Sequence, residues 1–200
     1  MSTRSQTKRA AWPILLRTLA VMTLLGLTGH WAHAENPNAA AWQSVRAGEA
    51  FVMIRHALAP GTGDPPQFRI GDCATQRNLS DEGRAQARRI GLRLKENGIS
   101  AARVMTSLWC RCRETAELLG LGRVEELPPL NSFFENRQDG PAQTRDLEAW
   151  LATQDGNRQP IVLVTHQVNI TALTGIVPRS GGIVIARREP TGRIVVLAEL

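Results

Sequence analysis

Two short apolar runs restrict the fold of this sequence most: Phe51-Val52-Met53-Ile54 and Ile161-Val162-Leu163-Val164. A strand with one wet face alternates apolar and polar residues, whereas an unbroken apolar run needs cover on both faces. Arg103-Val104-Met105-Thr106 is a third strand of this kind. Helical segments separate them. Ser80 can cap a helix whose first turn carries Asp81 and Glu82, whose apolar face is Ala87, Ile90 and Leu94, and which ends at Asn97-Gly98. Further helices are expected over Ser107–Leu119, Asp146–Thr153 and Val168–Thr174. Residues 35–47 read as a lead-in, the Gly- and Pro-rich Ala59–Cys73 as a long loop, and Pro128–Pro141 as irregular chain. Ile183-Val184-Ile185 and Ile194-Val195-Val196-Leu197 flank a Glu189–Gly192 hairpin turn. Strands alternating with helices predict an α/β fold: a three-layer sandwich, its mainly parallel sheet covered by helices on both faces, spanning residues 35–200.

The chain of 200 residues carries 24 basic and 18 acidic side chains. Arg4, Lys8, Arg9 and Arg17 belong to an N-terminal stretch with no acid, so residues 35–200 hold 20 against 18. That near-balance gives no reason to expect nucleic-acid binding. The N-terminus itself has a positive start, an apolar stretch from Trp12 to Leu27 and the small-residue sequence Ala32-His33-Ala34. This is the layout of a secretory signal peptide over residues 1–34, with cleavage expected after Ala34. Its uninterrupted apolar part is shorter than the roughly 20 residues a spanning helix needs. An uncleaved anchor is the alternative; cleavage leaves an exported chain without stable membrane insertion, periplasmic in a bacterium. Export suits oxidised cysteines. Cys110 and Cys112 are too close for an easy mutual bridge, so a disulfide from Cys73 to one of them is expected, with free thiols as the other outcome. Zinc is disfavoured by the spacing.

Only His56 and His166 remain beyond residue 34, and each closely follows an apolar strand. Ligands of open parallel sheets bind beyond the carboxyl ends of the strands. Arg55 and Arg111 belong to the same neighbourhood. Two guanidiniums can grip phosphoryl oxygens bidentately, a helix N-terminus adds amide donors, and a neutral imidazole can attack phosphorus.

Four segments then resemble a known family in its order. Arg55-His56-Ala57 resembles the Arg-His-Gly signature of the histidine phosphatase superfamily, also called phosphoglycerate mutase-like. Asn78-Leu79-Ser80-Asp81-Glu82-Gly83-Arg84-Ala85-Gln86-Ala87 and Thr106-Ser107-Leu108-Trp109-Cys110-Arg111-Cys112-Arg113-Glu114-Thr115-Ala116 are similar to its second and third segments. Val164-Thr165-His166 is similar to the strand that delivers its second histidine. The resemblance implies a phosphoglycerate mutase-like fold and a metal-independent phosphatase without cofactor. His56 would be the nucleophile, and Arg55, Arg111 and His166 would bind the phosphoryl group.

Ala57 departs from the usual Gly, which is tolerable where φ stays negative. Gln167 after His166 departs from the acid-phosphatase and phytase branch, so the proton donor is expected after the Arg111 helix. Glu135 is the first choice, with apolar Phe133 and Phe134 favouring the protonated carboxyl; a solvated loop carboxylate is its bland reading. Asp139 and Asp64 are the reserves. Arg113 reads as a surface residue. The Pro60–Asp64 loop lacks the Lys and Ser/Thr of a P-loop and is expected to fold over the site instead. Exported location resembles that of lipopolysaccharide core heptose phosphatases, which suggests a phosphorylated sugar or envelope component as substrate. A mutase or a protein phosphohistidine phosphatase fits the exported location less well. A non-catalytic phosphoryl-binding module and a metalloprotein using the histidines and cysteines are the competing classes.

Overall fold

The computed structural model describes residues 1, 37–154, 156 and 158–200. The expected signal segment and its cleavage point lie outside these residues, apart from Met1. Six strands form one sheet: β1 (Phe51–Arg55), β2 (Arg103–Thr106), β3 (Val124–Glu126), β4 (Ile161–Thr165), β5 (Ile183–Arg188) and β6 (Ile194–Glu199), in the order β3-β2-β4-β1-β5-β6. The first four in that order are parallel; β5 runs antiparallel to β1, and β6 to β5. The helices are α1 (Ala39–Arg46), α2 (Asp81–Glu96), α3 (Cys110–Leu119), α4 (Gly140–Ala152) and α5 (Gln167–Thr174).

The unbroken apolar strands are explained by two cores. Val52 and Ile54 of β1 and Val162 and Val164 of β4 pack with Trp42 of α1, Leu94 of α2 and Leu119 of α3. Phe51, Met53 and Leu163 turn the other way, toward Leu147 and Leu151 of α4 and Ile170 of α5. Successive side chains on a strand point to opposite faces, so a strand buried on both has no position for a polar residue.

Three readings are corrected, and one strand is new. The lead-in contains α1, whose Ala41, Trp42 and Val45 are buried. α4 begins at Gly140 rather than Asp146; the Phe133 ring packs so closely over Gly140 that a Cβ there would touch it at 3.0 Å. β3 was unforeseen, a three-residue edge strand beside β2. The helix expected over Ser107–Leu119 starts later, at Cys110. The hairpin is present, with the Gly192 amide donating to Glu189 O at 2.8 Å.

Cys73 and Cys110 form a disulfide, and Cys112 is free and buried. Among the described residues, no helix is long and apolar enough to cross a membrane, and no group of three or more His, Cys, Asp or Glu is placed to hold a metal.

Candidate active site

The parallel register fixes the site. Arg55 lies beside Thr165, and Thr106 beside Val164, so β1, β4 and β2 end at one level. The residues that follow are His56, His166 and Ser107. The His56 and His166 rings stand 5.5 Å apart at 67°. Both are buried.

Backbone around His56 is held from several sides. Its amide donates to Thr165 O at 2.9 Å. The next amide, of Ala57, donates to Thr115 Oγ1 (3.0 Å), and Thr115 Oγ1 donates to Arg111 O (2.7 Å). The threonine of the third sequence segment therefore ties the first segment to the arginine. Among the described residues none but glycine has positive φ, so Ala57 meets the condition under which alanine can replace glycine. The second segment serves packing. Gln86 accepts from Leu58 N at 2.9 Å and donates to Ser180 O at 2.9 Å, while a Cβ on Gly83 would collide with the Leu58 carbonyl.

His56 Nδ1 lies 2.8 Å from Ala57 O. Only Nδ1–H can make that bond, so in the neutral ring Nε2 keeps its lone pair. Burial, then the charge of Arg111, pulls the His56 pKa down to about 3. Burial, then His56 and Arg111, holds His166 well below the usual imidazole range. His166 Nε2 is 2.9 Å from Ser107 Oγ and 3.4 Å from Cys112 Sγ. Burial pushes that thiol up to about 12, which keeps it un-ionised and inert.

Arg55 donates from Nη1 to Pro178 O at 3.0 Å. Its Nε and that of Arg111 are buried donors that an oxyanion could satisfy, with no partner among the described residues. Arg111 is bound bidentately by Asp64, Nη1 to Oδ1 at 2.7 Å and Nη2 to Oδ2 at 3.1 Å. Asp64 also accepts from Trp109 Nε1 (2.9 Å) and from the Arg77 amide (3.2 Å). Burial alone would raise the Asp64 pKa, but the bonds from Arg111 and Trp109 outweigh it and hold the carboxyl below its ordinary value. Asp64 is thus an anion rather than a stored proton, which removes it as a reserve donor and makes it an internal partner of Arg111.

Arg77 was missed by sequence reasoning. It donates from Nε to Gly63 O at 2.7 Å and from Nη1 to Ala59 O, holding the loop while adding a third guanidinium to the cleft. Its place in the run before Ser80 carried no signal; only the loop's folded path brings it here. The cleft of about 560 Å³ is lined by Arg55, His56, Arg77, Arg111, His166 and Glu135 among others. The apolar enclosure expected for Glu135 is absent. Phe133 turns into the core, while Phe134 and Glu135 are exposed, and a carboxylate oxygen of Glu135 sits at the cleft mouth beside Gly63. Asp139 is exposed and starts α4 away from the cleft lining. Arg113 is half-exposed, 3.5 Å from Glu126, in keeping with a surface role.

The model of the histidine phosphatase superfamily (branch 1) matches residues 51–136. This interval contains Arg55, His56 and Arg111 and stops short of His166. Solved structures share the fold at low identity. One is the protein histidine phosphatase SixA complexed with tungstate, 16% identical over 76% of this chain and 96% of that one, with a TM-score of 0.55. A mycobacterial glucosyl-3-phosphoglycerate phosphatase is 17% identical over 74% of this chain and 96% of its own, with a TM-score of 0.53. A phosphoserine phosphatase mutant from Entamoeba histolytica, in complex with phosphoserine, is 16% identical over 75% and 95%, with a TM-score of 0.52. A search of curated protein sequences finds no match. Residues 51–136 are thus similar to the histidine phosphatase superfamily (branch 1), and the sheet order is that of the fold these structures share.

Proposed function

We propose that this chain is an exported, metal-independent phosphatase that hydrolyses a phosphate monoester through a phosphohistidine intermediate on His56. The match of residues 51–136 to the histidine phosphatase superfamily supports phosphatase activity. The observation that carries the mechanism is the His56 ring: Nδ1 committed to Ala57 O at 2.8 Å, and a pKa pulled down to about 3. A neutral imidazole with a free Nε2 lone pair is a competent nucleophile at ordinary pH. As the Nε2–P bond forms, the bond from phosphorus to the ester oxygen breaks. Glu135, at the mouth of the cleft, gives that oxygen its proton. Water then attacks phospho-His56, Glu135 takes the water's proton, and orthophosphate leaves. Arg55, Arg111 and His166 hold the transferring group and balance the charge developing on its oxygens. Arg111 must exchange Asp64 for phosphoryl oxygens, a trade of one bidentate anion for another.

Export is supported by the N-terminal signal layout of residues 1–34, and in a bacterium the mature enzyme would be periplasmic. A phosphorylated sugar or an envelope component heads the substrate screen. A second reading, a phosphoryl-binding module without turnover, is favoured by the carboxylate seated on Arg111 and the exposure of Glu135. Hydrolysis of p-nitrophenyl phosphate in EDTA, beside His56→Ala, decides between them. Turnover that the substitution abolishes supports the enzyme. Phosphate binding without turnover supports the module.

A further inference from the structure

An apolar strip of rings leads away from the histidines along one side of the cleft. The Trp109 ring meets His166 edge-on at 5.3 Å, and Phe68 stacks on Trp109 at 5.0 Å and 23°. These three rings form a continuous ladder from the reacting group toward solvent. Trp109 is pinned by its bond to Asp64, so the ladder does not swing freely. At the mouth stand Ile70 and Phe134, 49% and 36% exposed. They are two of the five large hydrophobic side chains exposed among the described residues.

Thr62, Ser132, Glu135, Asn136 and Gln167 also line the cleft, and two of them are engaged within their own segments. Gln167 donates to Thr171 Oγ1 at 2.8 Å, and Ser132 Oγ accepts from Phe134 N at 3.2 Å. A polyol passing along this strip would bring several hydroxyls against Trp109 and Phe68, where each lost hydrogen bond to water needs a replacement. An alkyl or aryl chain needs none and removes exposed apolar surface from water. Meanwhile the inner end offers three guanidiniums against the single carboxylate of Asp64, a charge balance suited to a phosphate dianion.

We propose that the cleft takes phosphate monoesters whose alcohol portion is an apolar chain, in preference to phosphorylated sugars. This rests on the phosphatase reading above and narrows its substrate class to an amphiphilic phosphate, which an envelope component with an apolar chain would satisfy. Phe68, Ile70 and Phe134 are then the specificity-determining residues.

The test compares kcat/KM for n-hexyl phosphate and glucose 6-phosphate, both esters of primary alcohols, with p-nitrophenyl phosphate as the activity control. The expected preference for hexyl phosphate is roughly tenfold or more. Ile70→Ser and Phe134→Ser, both at exposed positions where folding is little affected, should shrink that preference about threefold or more, through KM for hexyl phosphate. Equal or better turnover of glucose 6-phosphate, with p-nitrophenyl phosphate still hydrolysed, overturns the apolar-chain proposal and leaves the phosphatase reading standing. If no ester is turned over, the phosphatase reading fails, and calorimetry with the same two phosphates still decides. Tighter binding of hexyl phosphate supports the apolar cleft; equal or weaker binding overturns it.

Discussion

Lowering the pH from 7.5 to 5.0 should destabilise this protein through His56. In the unfolded chain an imidazole titrates near 6.5; in the fold, burial and then the charge of Arg111 bring His56 to about 3. The unfolded state therefore binds a proton that the folded state refuses between those values. The stabilisation is whole above pH 6.5 and falls as the pH drops toward 3. Each unit in that window costs about 1.4 kcal/mol, so His56 alone should remove about 2 kcal/mol at pH 5.0. His166 acts in the same direction. Urea unfolding of the wild type and of His56→Asn, at both pH values, isolates the contribution, because Asn keeps a polar group of similar size that cannot take the proton. The wild type should lose about 2 kcal/mol more than the variant. Equal losses would refute the reasoning, since His56 would then titrate alike in both states.

Other perturbations test other joints. Gly91→Ala sets a Cβ against the Leu119 carbonyl where α2 meets α3, and overpacking of this kind costs about 1–3 kcal/mol, read as a lower melting temperature. Cys110→Ser opens a bridge between residues 37 apart in sequence and should cost about 3–4 kcal/mol in urea unfolding, while buried Cys112 stays unreactive toward a thiol reagent in the native wild type. Asp64→Asn removes the anion on Arg111 and leaves one more uncompensated positive charge beside His56; competitive inhibition by orthophosphate should tighten about severalfold, and an unchanged or weaker inhibition constant would count against Asp64 as the internal partner.

Much of the architecture was legible because burial on both faces leaves an unmistakable mark on β1, β2 and β4. α1 carries no such mark: its Ala-rich opening follows a Pro- and Asn-containing stretch, and only packing of Trp42 and Val45 reveals it. β3 is three residues long, two of them glutamates, and exists because β2 offers it an open edge. α4 was started too late because Gly140-Pro141 reads as a break, whereas proline is welcome in a first helical turn and this glycine makes room for Phe133. In the site, Arg55, His56, Arg111 and His166 could be placed in advance because strand ends and a helix start position them. Asp64, Trp109 and Arg77 meet through a long loop whose far end is bound by Cys73 to Cys110, and no local pattern encodes such a path. Asp64 was foreseen only as a reserve acid; its neighbours make it a held anion instead.

The central claim is a covalent phosphate on His56. Rapid quench of the enzyme with phosphorus-labelled p-nitrophenyl phosphate into alkali, followed by peptide mapping, tests it most directly. The account predicts label on the peptide containing His56, stable to base and lost in acid, and absent from His56→Ala. Turnover with no trapped label on that peptide, together with undiminished hydrolysis by His56→Ala, would contradict it.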